Sequence, residues 1–145
     1  TEEGFIFYTN YDSEKGKAIA LNNHICLSFF WPALEQQIII KGKAEFLPEE
    51  ESDGYFKSRP DGSKLGAWAS NQSSVVSSRE VLDNNLKAFE NKFKATPILR
   101  PKHWGGYNVK PISIEFWQGR PNRMHDRIRY RLEKDFSWKI ERLAP

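Results

Sequence analysis

Apolar and polar positions alternate with period two at the start of the chain. Phe5, Phe7 and Thr9 fall on one face and Ile6 and Tyr8 on the other, which predicts a strand ending near Asn10. Ser13 to Leu21 reads as a short helix. A hydrophobic strand from His24 to Trp31 stops at Pro32, and a second runs from Gln36 to Phe46 with Ile38 and Ile40 on one face and Gln37 and Ile39 on the other, so the pair predicts a hairpin. Pro48 followed by Glu49, Glu50 and Glu51 predicts a helix start, with proline at the first helical position and carboxylates at the positive end of the dipole. That helix is expected to end before Pro60. Another begins at Ser77, whose spacing to Glu80 matches a capping box, and Leu82, Leu86, Phe89 and Phe93 form its apolar stripe up to the stop at Pro97.

From Trp104 the period returns to two, most clearly where Arg127, Arg129 and Arg131 alternate with Ile128, Tyr130 and Leu132. Ser137 to Leu143 reads as the last strand. Strands outnumber helices, and no repeat, low-complexity tract or linker interrupts them. The expectation is therefore a single α+β domain over residues 1–145, mainly β, with a small barrel and helices packed outside.

Composition narrows this picture without redirecting it. A chain of 145 residues with 39% hydrophobic and 14% aromatic content can build one real core and is short for two. No apolar run approaches the roughly 18 residues of a membrane span, and CLSFFW from Cys26 to Trp31 is strand-sized, so a soluble protein with no membrane partner is expected. The single cysteine, Cys26, lies between Ile25 and Leu27 and reads as an inert buried thiol, consistent with a reducing cytoplasmic or organellar compartment. A formal charge of +3 suits an anionic ligand and falls far below the charge density of a dedicated nucleic-acid binder. The N-terminus opens without methionine or signal-peptide regions and enters a strand at once, as expected of a fragment or a processed product.

Several chemistries lack their motifs. His24, His103 and His125 are scattered, with no HExxH or CxxC spacing, so no metal is expected. There is no GxSxG elbow, P-loop or GxGxxG, and Gly105 with Gly106 reads as a tight strand entry. What remains is suited to phosphate. Tyr55 and Arg59 stand four apart on a predicted helix with Ser63 just beyond, and a guanidinium fork with phenol and hydroxyl donors matches a phosphate; an ordinary solvated helix end matches the same residues. Gln72 and Ser73 offer hydrogen bonds to a heterocycle or phosphate, or cap the next helix. Trp117 shares a strand face with Ser113 and Glu115, where its ring can meet a ligand or cover the surface. In GRPNRMHDR, Arg123 and His125 lie two apart beside Asp126 and Arg127, a density of ionisable groups that a simple turn does not require.

Taken jointly, EFWQGRPNRMHDR, WGGYNVKP, YFKSRPDGS, NQSSVV and ERLAP, with the FYTNY opening and the QQIIIKG strand, resemble the pyridoxine 5'-phosphate oxidases from Gly4 to Pro145. The resemblance implies a split β-barrel, a homodimer with FMN at its interface, and oxidation of pyridoxine or pyridoxamine 5'-phosphate to pyridoxal 5'-phosphate by dioxygen. It implies FMN contacts from Tyr8, Thr9, Lys15, Gln37, Gln72, Ser73, Trp117 and Arg127. Tyr55, Arg59 and Ser63 would hold the substrate phosphate, and Arg123 and His125 would lie over the substrate ring as catalytic groups with Met124 between them. Two features depart from the family's pattern. Glu14 stands where an arginine usually faces the flavin phosphate, and the chain starts at Thr1 without the family's upstream strand. Rival readings are a split-barrel oxidase of a phenazine-type substrate, a non-catalytic FMN- or pyridoxal-phosphate-binding module, and a basic nucleic-acid binder using the Arg127, Arg129 and Arg131 face.

Overall fold

A computed structural model describes residues 4–145, and the expectation drawn at Thr1 lies outside the described residues. The described chain is mainly β. Its elements, in order, are β1 (Phe5–Asn10), α1 (Glu14–Leu21), β2 (His24–Trp31), β3 (Gln36–Phe46), α2 (Glu49–Ser58), α3 (Asp61–Ala69), α4 (Arg79–Lys92), β4 (Trp104–Gln118), β5 (Asp126–Leu132) and β6 (Trp138–Arg142), with short 3-10 turns at Pro32–Leu34 and Pro121–Arg123. In hydrogen-bonding order the strands run β2-β3-β4-β5-β6, and β1 pairs with β4 off this path. Contacts divide the chain into two compact units, each assembled from separated segments.

The first unit gathers residues 4–5, Asn22–Glu45 and Val109–Pro145. The expected hairpin forms: β2 and β3 are antiparallel, with Trp31 opposite Gln36 and Ile25 opposite Gly42. Strands β4, β5 and β6 continue antiparallel, with Trp117 opposite Arg127 and Arg129 opposite Glu141. Ile40, Ala44 and Val109 are buried here. Gly42 is where backbone comes closest: a Cβ would collide with the Lys110 carbonyl oxygen and stand 2.9 Å from Val109 Cγ1. Because backbone cannot yield as a side-chain tip can, Gly42→Ala should lower the unfolding free energy by about 1–3 kcal/mol. A urea midpoint unchanged from wild type would show that the strands part more easily than this packing implies.

The second unit comprises Ile6–Leu21 and Phe46–Asn108. Its core is aromatic, with Phe56, Trp104 and Tyr107 buried. Phe7 stacks on Tyr107 at 5.5 Å between ring centres, and Tyr11 meets the same ring edge-on at 5.4 Å. The first four residues of β4 are all buried. Gly105 and Gly106 are closely packed there: a Cβ on the first would meet the Tyr11 hydroxyl, and one on the second the Leu47 side chain, while Gly106 N–H donates to Ser52 Oγ at 3.1 Å.

Four expectations need correction. Cys26 is exposed, because period two sends it to the face opposite Ile25 and Leu27. Pro48 is the N-cap of α2 and Glu49 the first helical residue. α4 is capped by Ser78, and its hydroxyl hydrogen-bonds Glu80 Oε2, so the Ser77–Glu80 capping box is not made. Helix α3 was not anticipated. Pro60 caps it and Asp61 opens it, but Gly62 and Gly66 within nine residues mask a helical pattern.

Candidate functional site

In the second unit, the turn from α2 into α3 builds a cavity of about 330 Å³ whose lining includes Asn10, Arg59, Ser63, Gly66, Gln72 and Trp104. Arg59 ends α2 in an extended conformation, which turns its side chain over the Trp104 ring at 4.6 Å and the Phe56 ring at 5.6 Å. Its Nη1 is buried with no hydrogen-bond partner. A buried, unpaired guanidinium N–H is costly and calls for an anionic acceptor. Ser63, on the first turn of α3, offers its hydroxyl to the same cavity. Tyr55 does not line the cavity; it stacks on Tyr8 at 3.8 Å, and Tyr8 stacks in turn on Trp104 at 5.5 Å. Burial, reinforced by the neighbouring Tyr55 and Glu51, holds the Tyr8 phenol above its ordinary pKa, so it stays a neutral donor.

Gln72 ties this group together. Its Oε1 accepts from Thr9 Oγ1 and from the Asn10 backbone N–H, each at 3.1 Å, which leaves its amide N–H₂ to donate. Lys15 Nζ lies 3.5 Å from Thr9 Oγ1. Ser73 follows in the left-handed region at φ 70° and is exposed. Tyr8, Thr9, Lys15, Tyr55, Arg59, Ser63, Gln72 and Ser73 thus all fall in one unit. Trp104 and Asn10 join them, and neither was singled out as a site residue from sequence. Tryptophan before two close-packed glycines was the one available signal for the first.

The first unit holds the remaining candidates. Gln37 and Trp117 line a cavity of about 280 Å³ with Trp31, Phe116, Asp126 and Ile128. The Trp117 ring lies 4.9 Å from the His125 imidazole. Arg127 donates from Nε to Glu115 Oε1 at 2.7 Å and from Nη1 to the Ala144 carbonyl at 2.9 Å, and the Glu115 bond raises its already high pKa. The loop between β4 and β5 carries Asn122 and Arg123 at φ 58° and 60°, two consecutive non-glycine residues in a sparsely populated region. Strain of about 1–3 kcal/mol each is characteristic of functional loops. Arg123 and Met124 are exposed, whereas His125 is half-buried.

The arginine stripe is matched by carboxylates. Arg129 pairs with Glu141 at 2.6 Å, Arg131 with Glu133 at 2.9 Å, and Lys139 with Glu141 at 3.2 Å. A face neutralised in this way lacks the free positive charge that phosphate-backbone binding needs. Arg129 and Lys139 hold the Glu141 carboxyl down at about 2, from the usual 4.5. A depressed folded-state pKa gives stability that is complete above about 4.5 and is lost as pH falls towards 2. Glu141→Gln should therefore flatten the pH dependence of the urea midpoint across that window, and an unchanged slope would show that Glu141 is already free.

Comparison with known proteins settles the lineage. Residues 1–93 match the family profile described as pyridoxamine 5'-phosphate oxidase, and residues 104–145 match that of the pyridoxine 5'-phosphate oxidase C-terminal dimerisation region. The chain belongs to the pyridoxine/pyridoxamine 5'-phosphate oxidase family. Relatives of that name from Flavobacterium psychrophilum and Gloeothece citriformis are 68% and 55% identical over 145 and 144 residues, covering 100% and 99% of this chain and 68% and 67% of theirs. The solved structure of PhzG from Burkholderia lata, in complex with tetrahydrophenazine-1-carboxylic acid, superposes with a TM-score of 0.91 at 30% identity, covering 100% of this chain and 70% of that one. A pyridoxamine 5'-phosphate oxidase-related, FMN-binding protein from Nostoc punctiforme shares the fold at a TM-score of 0.71 and 14% identity, covering 97% of this chain and 72% of that one.

The fold of this family member is accordingly the expected split barrel. Membership also makes the chain an oxidoreductase by family. Among the described residues, no helix is long and apolar enough to cross a membrane.

Proposed function

We propose that the protein oxidises pyridoxine 5'-phosphate and pyridoxamine 5'-phosphate to pyridoxal 5'-phosphate, with FMN as cofactor and dioxygen as acceptor, releasing hydrogen peroxide and, from the amine, ammonia. The observation that carries this reading is the unpaired, buried Nη1 of Arg59 in a cavity shared with Ser63. It fits a phosphate monoester, which accepts a charge-assisted bond from the guanidinium and a neutral one from the hydroxyl. Tyr55, stacked on Tyr8 outside that cavity, is the third member of the trio that the family resemblance assigns to the phosphate.

The donor set also fits FMN. In the second unit Lys15, Thr9 and Tyr8 offer cationic and neutral donors suited to its phosphate or ring oxygens, with the Gln72 amide and Ser73 adding hydrogen bonds, and in the first unit Arg127, Gln37 and the flat ring of Trp117 offer a set of their own. Glu14, exposed at the start of α1, contributes no such donor. When bound, FMN supplies the hydride acceptor that substrate oxidation needs. The chain's own work is positional: Arg59, Ser63 and Tyr55 anchor the substrate by its phosphate, and Arg123 and His125 bracket its ring and hold the reacting alcohol or amine. Met124 supplies backbone and packing between them. The active unit is a homodimer, consistent with the dimerisation-region match over residues 104–145.

A second reading, a phenazine-type substrate, is favoured by the likeness to PhzG. One experiment separates the two. The flavin-loaded protein is given each phosphorylated vitamer, the unphosphorylated vitamers and a reduced phenazine carboxylate, while aldehyde and peroxide are followed. Equimolar aldehyde and peroxide from the phosphorylated vitamers alone is the expected result. Turnover of the phenazine only, or of nothing, sinks the proposal, the latter leaving a cofactor-binding module.

A further inference from the structure

The loop from Gly119 to Asp126 is held shut by contacts that fix the protonation pattern of His125. The Arg120 backbone N–H donates to His125 Nδ1 at 3.1 Å. A backbone N–H always carries its proton, so Nδ1 is an acceptor, and the one proton of a neutral imidazole sits on Nε2. A ring carrying a proton on Nδ1 would set two donors against each other and require the loop to open. The Trp117 ring, 4.9 Å away and tilted by 47°, packs against the imidazole on its strand side.

What keeps the Arg120 N–H in place is Asp126. Its Oδ2 accepts from Arg120 Nε at 2.9 Å and its Oδ1 from Arg142 Nη1 at 2.7 Å, so one carboxylate joins the loop's first arginine to strand β6. Asp126 opens β5 opposite Gln118, at the base of the loop. The two guanidiniums hold its carboxyl below the ordinary aspartate range, so it stays anionic. Inside this clasp the Met124 N–H closes on the Pro121 carbonyl at 3.2 Å, and Asn122 and Arg123 keep their left-handed backbone.

We infer that His125 acts as a hydrogen-bond donor through Nε2–H to a lone pair of the substrate, rather than as a proton acceptor, and that Asp126, acting through Arg120, is the positioning residue that fixes this tautomer. The inference rests on the proposed function for the identity of the substrate, but the tautomer itself is measured without turnover. Arg120 acts through its backbone N–H and Asp126 through Arg120 in this scheme; because Asp126 also lines the cavity of Gln37 and Trp117, flavin content is measured with each variant.

The test is nitrogen-15 NMR of the three histidines in the flavin-loaded protein, with the His125 signals assigned by their loss in His125→Gln. The expected wild-type spectrum shows His125 with a bare Nδ1 and a protonated Nε2. Asp126→Ala should give averaged tautomer shifts and lower kcat by roughly three- to tenfold with a smaller change in KM, as for loss of an oriented hydrogen bond, and Asp126→Glu should restore both. If Asp126→Ala does not fold, Arg120→Met removes the same ion pair from an exposed position. His125→Gln, which keeps an amide N–H near the Nε2 position, should retain more kcat than His125→Leu.

A protonated Nδ1 in the wild type, an unmoved tautomer in the clasp variants, or equal losses in His125→Gln and His125→Leu would each overturn the inference. Absence of any vitamer turnover alongside the Nε2–H spectrum would instead overturn the proposed substrate.

Discussion

Arg59→Ala should raise the KM for phosphorylated substrate by on the order of 10- to 100-fold while FMN content stays at the wild-type level. A hydrogen bond from a charged group is worth about 1.5–3 kcal/mol, and each 1.4 kcal/mol is about a factor of ten. The buried Nη1 with no internal partner is the reason to expect the full amount, since nothing in the protein competes with the ligand for it. Stability should move little. Alanine removes the stacking of the guanidinium on Trp104, worth about 0.5–2 kcal/mol, but also removes an unsatisfied buried donor that costs about 1–3 kcal/mol. Arg59→Lys keeps the charge and loses the fork, so it should fall between the two. Steady-state kinetics with flavin absorbance and a thermal melt check all three points. Parallel loss of flavin would move Arg59 out of the phosphate role.

The second large effect is structural. Phe56 is 1% exposed and meets Trp104 edge-on at 5.2 Å, directly beneath the Arg59 guanidinium. Phe56→Ala should cost about 3–5 kcal/mol from lost burial and the cavity left behind. That is a large share of the 5–15 kcal/mol typical of a whole domain, so a marginal or aggregating product is expected at 37 °C. Urea unfolding of Phe56→Leu, which keeps most of the volume, should show a loss of about 1 kcal/mol with an unchanged slope. A similarly small loss for Phe56→Ala would mean that Trp104 collapses into the vacated space, and substrate KM would then rise with it.

Much of this architecture is legible in the sequence because period-two patterning needs no knowledge of partners. β1, β2, β3 and β5 end within a residue of where the alternation places them, and Pro32 and Pro60 stop their elements as proline's missing N–H requires. α3 was missed since two glycines in nine residues erase the helical signal, and the register of Ser77 against Ser78 is a one-residue choice between adjacent identical caps. For the site, residue types marked Arg59 and His125 as candidates, while their roles came only from motifs occurring together. Glu115, Asp126 and Trp104 stayed invisible in those roles. Glu115 and Asp126 act through Arg127 and Arg120 across the β4–β5 turn, and Trp104 through Arg59 in a distant helix end, and which residues such a turn or packing brings together is a tertiary fact.

The interleaved composition of the two units bears on how the chain is made. The second unit ends at Asn108, but the first needs segments reaching to Pro145. On the ribosome, residues 46–108 can therefore meet Ile6–Leu21 while the β2–β3 hairpin waits for β4 beyond Asn108 and for β5 and β6. Phe29, Phe30 and Trp31 lie on β2 at the end of the sheet order and stay exposed in the finished chain, so they are open to chaperone capture or to pairing with another chain during that interval and after it. Nascent chains arrested before Val109 leave β3 without its β4 neighbour and should accordingly be held by chaperones, with release once β4 has emerged and paired.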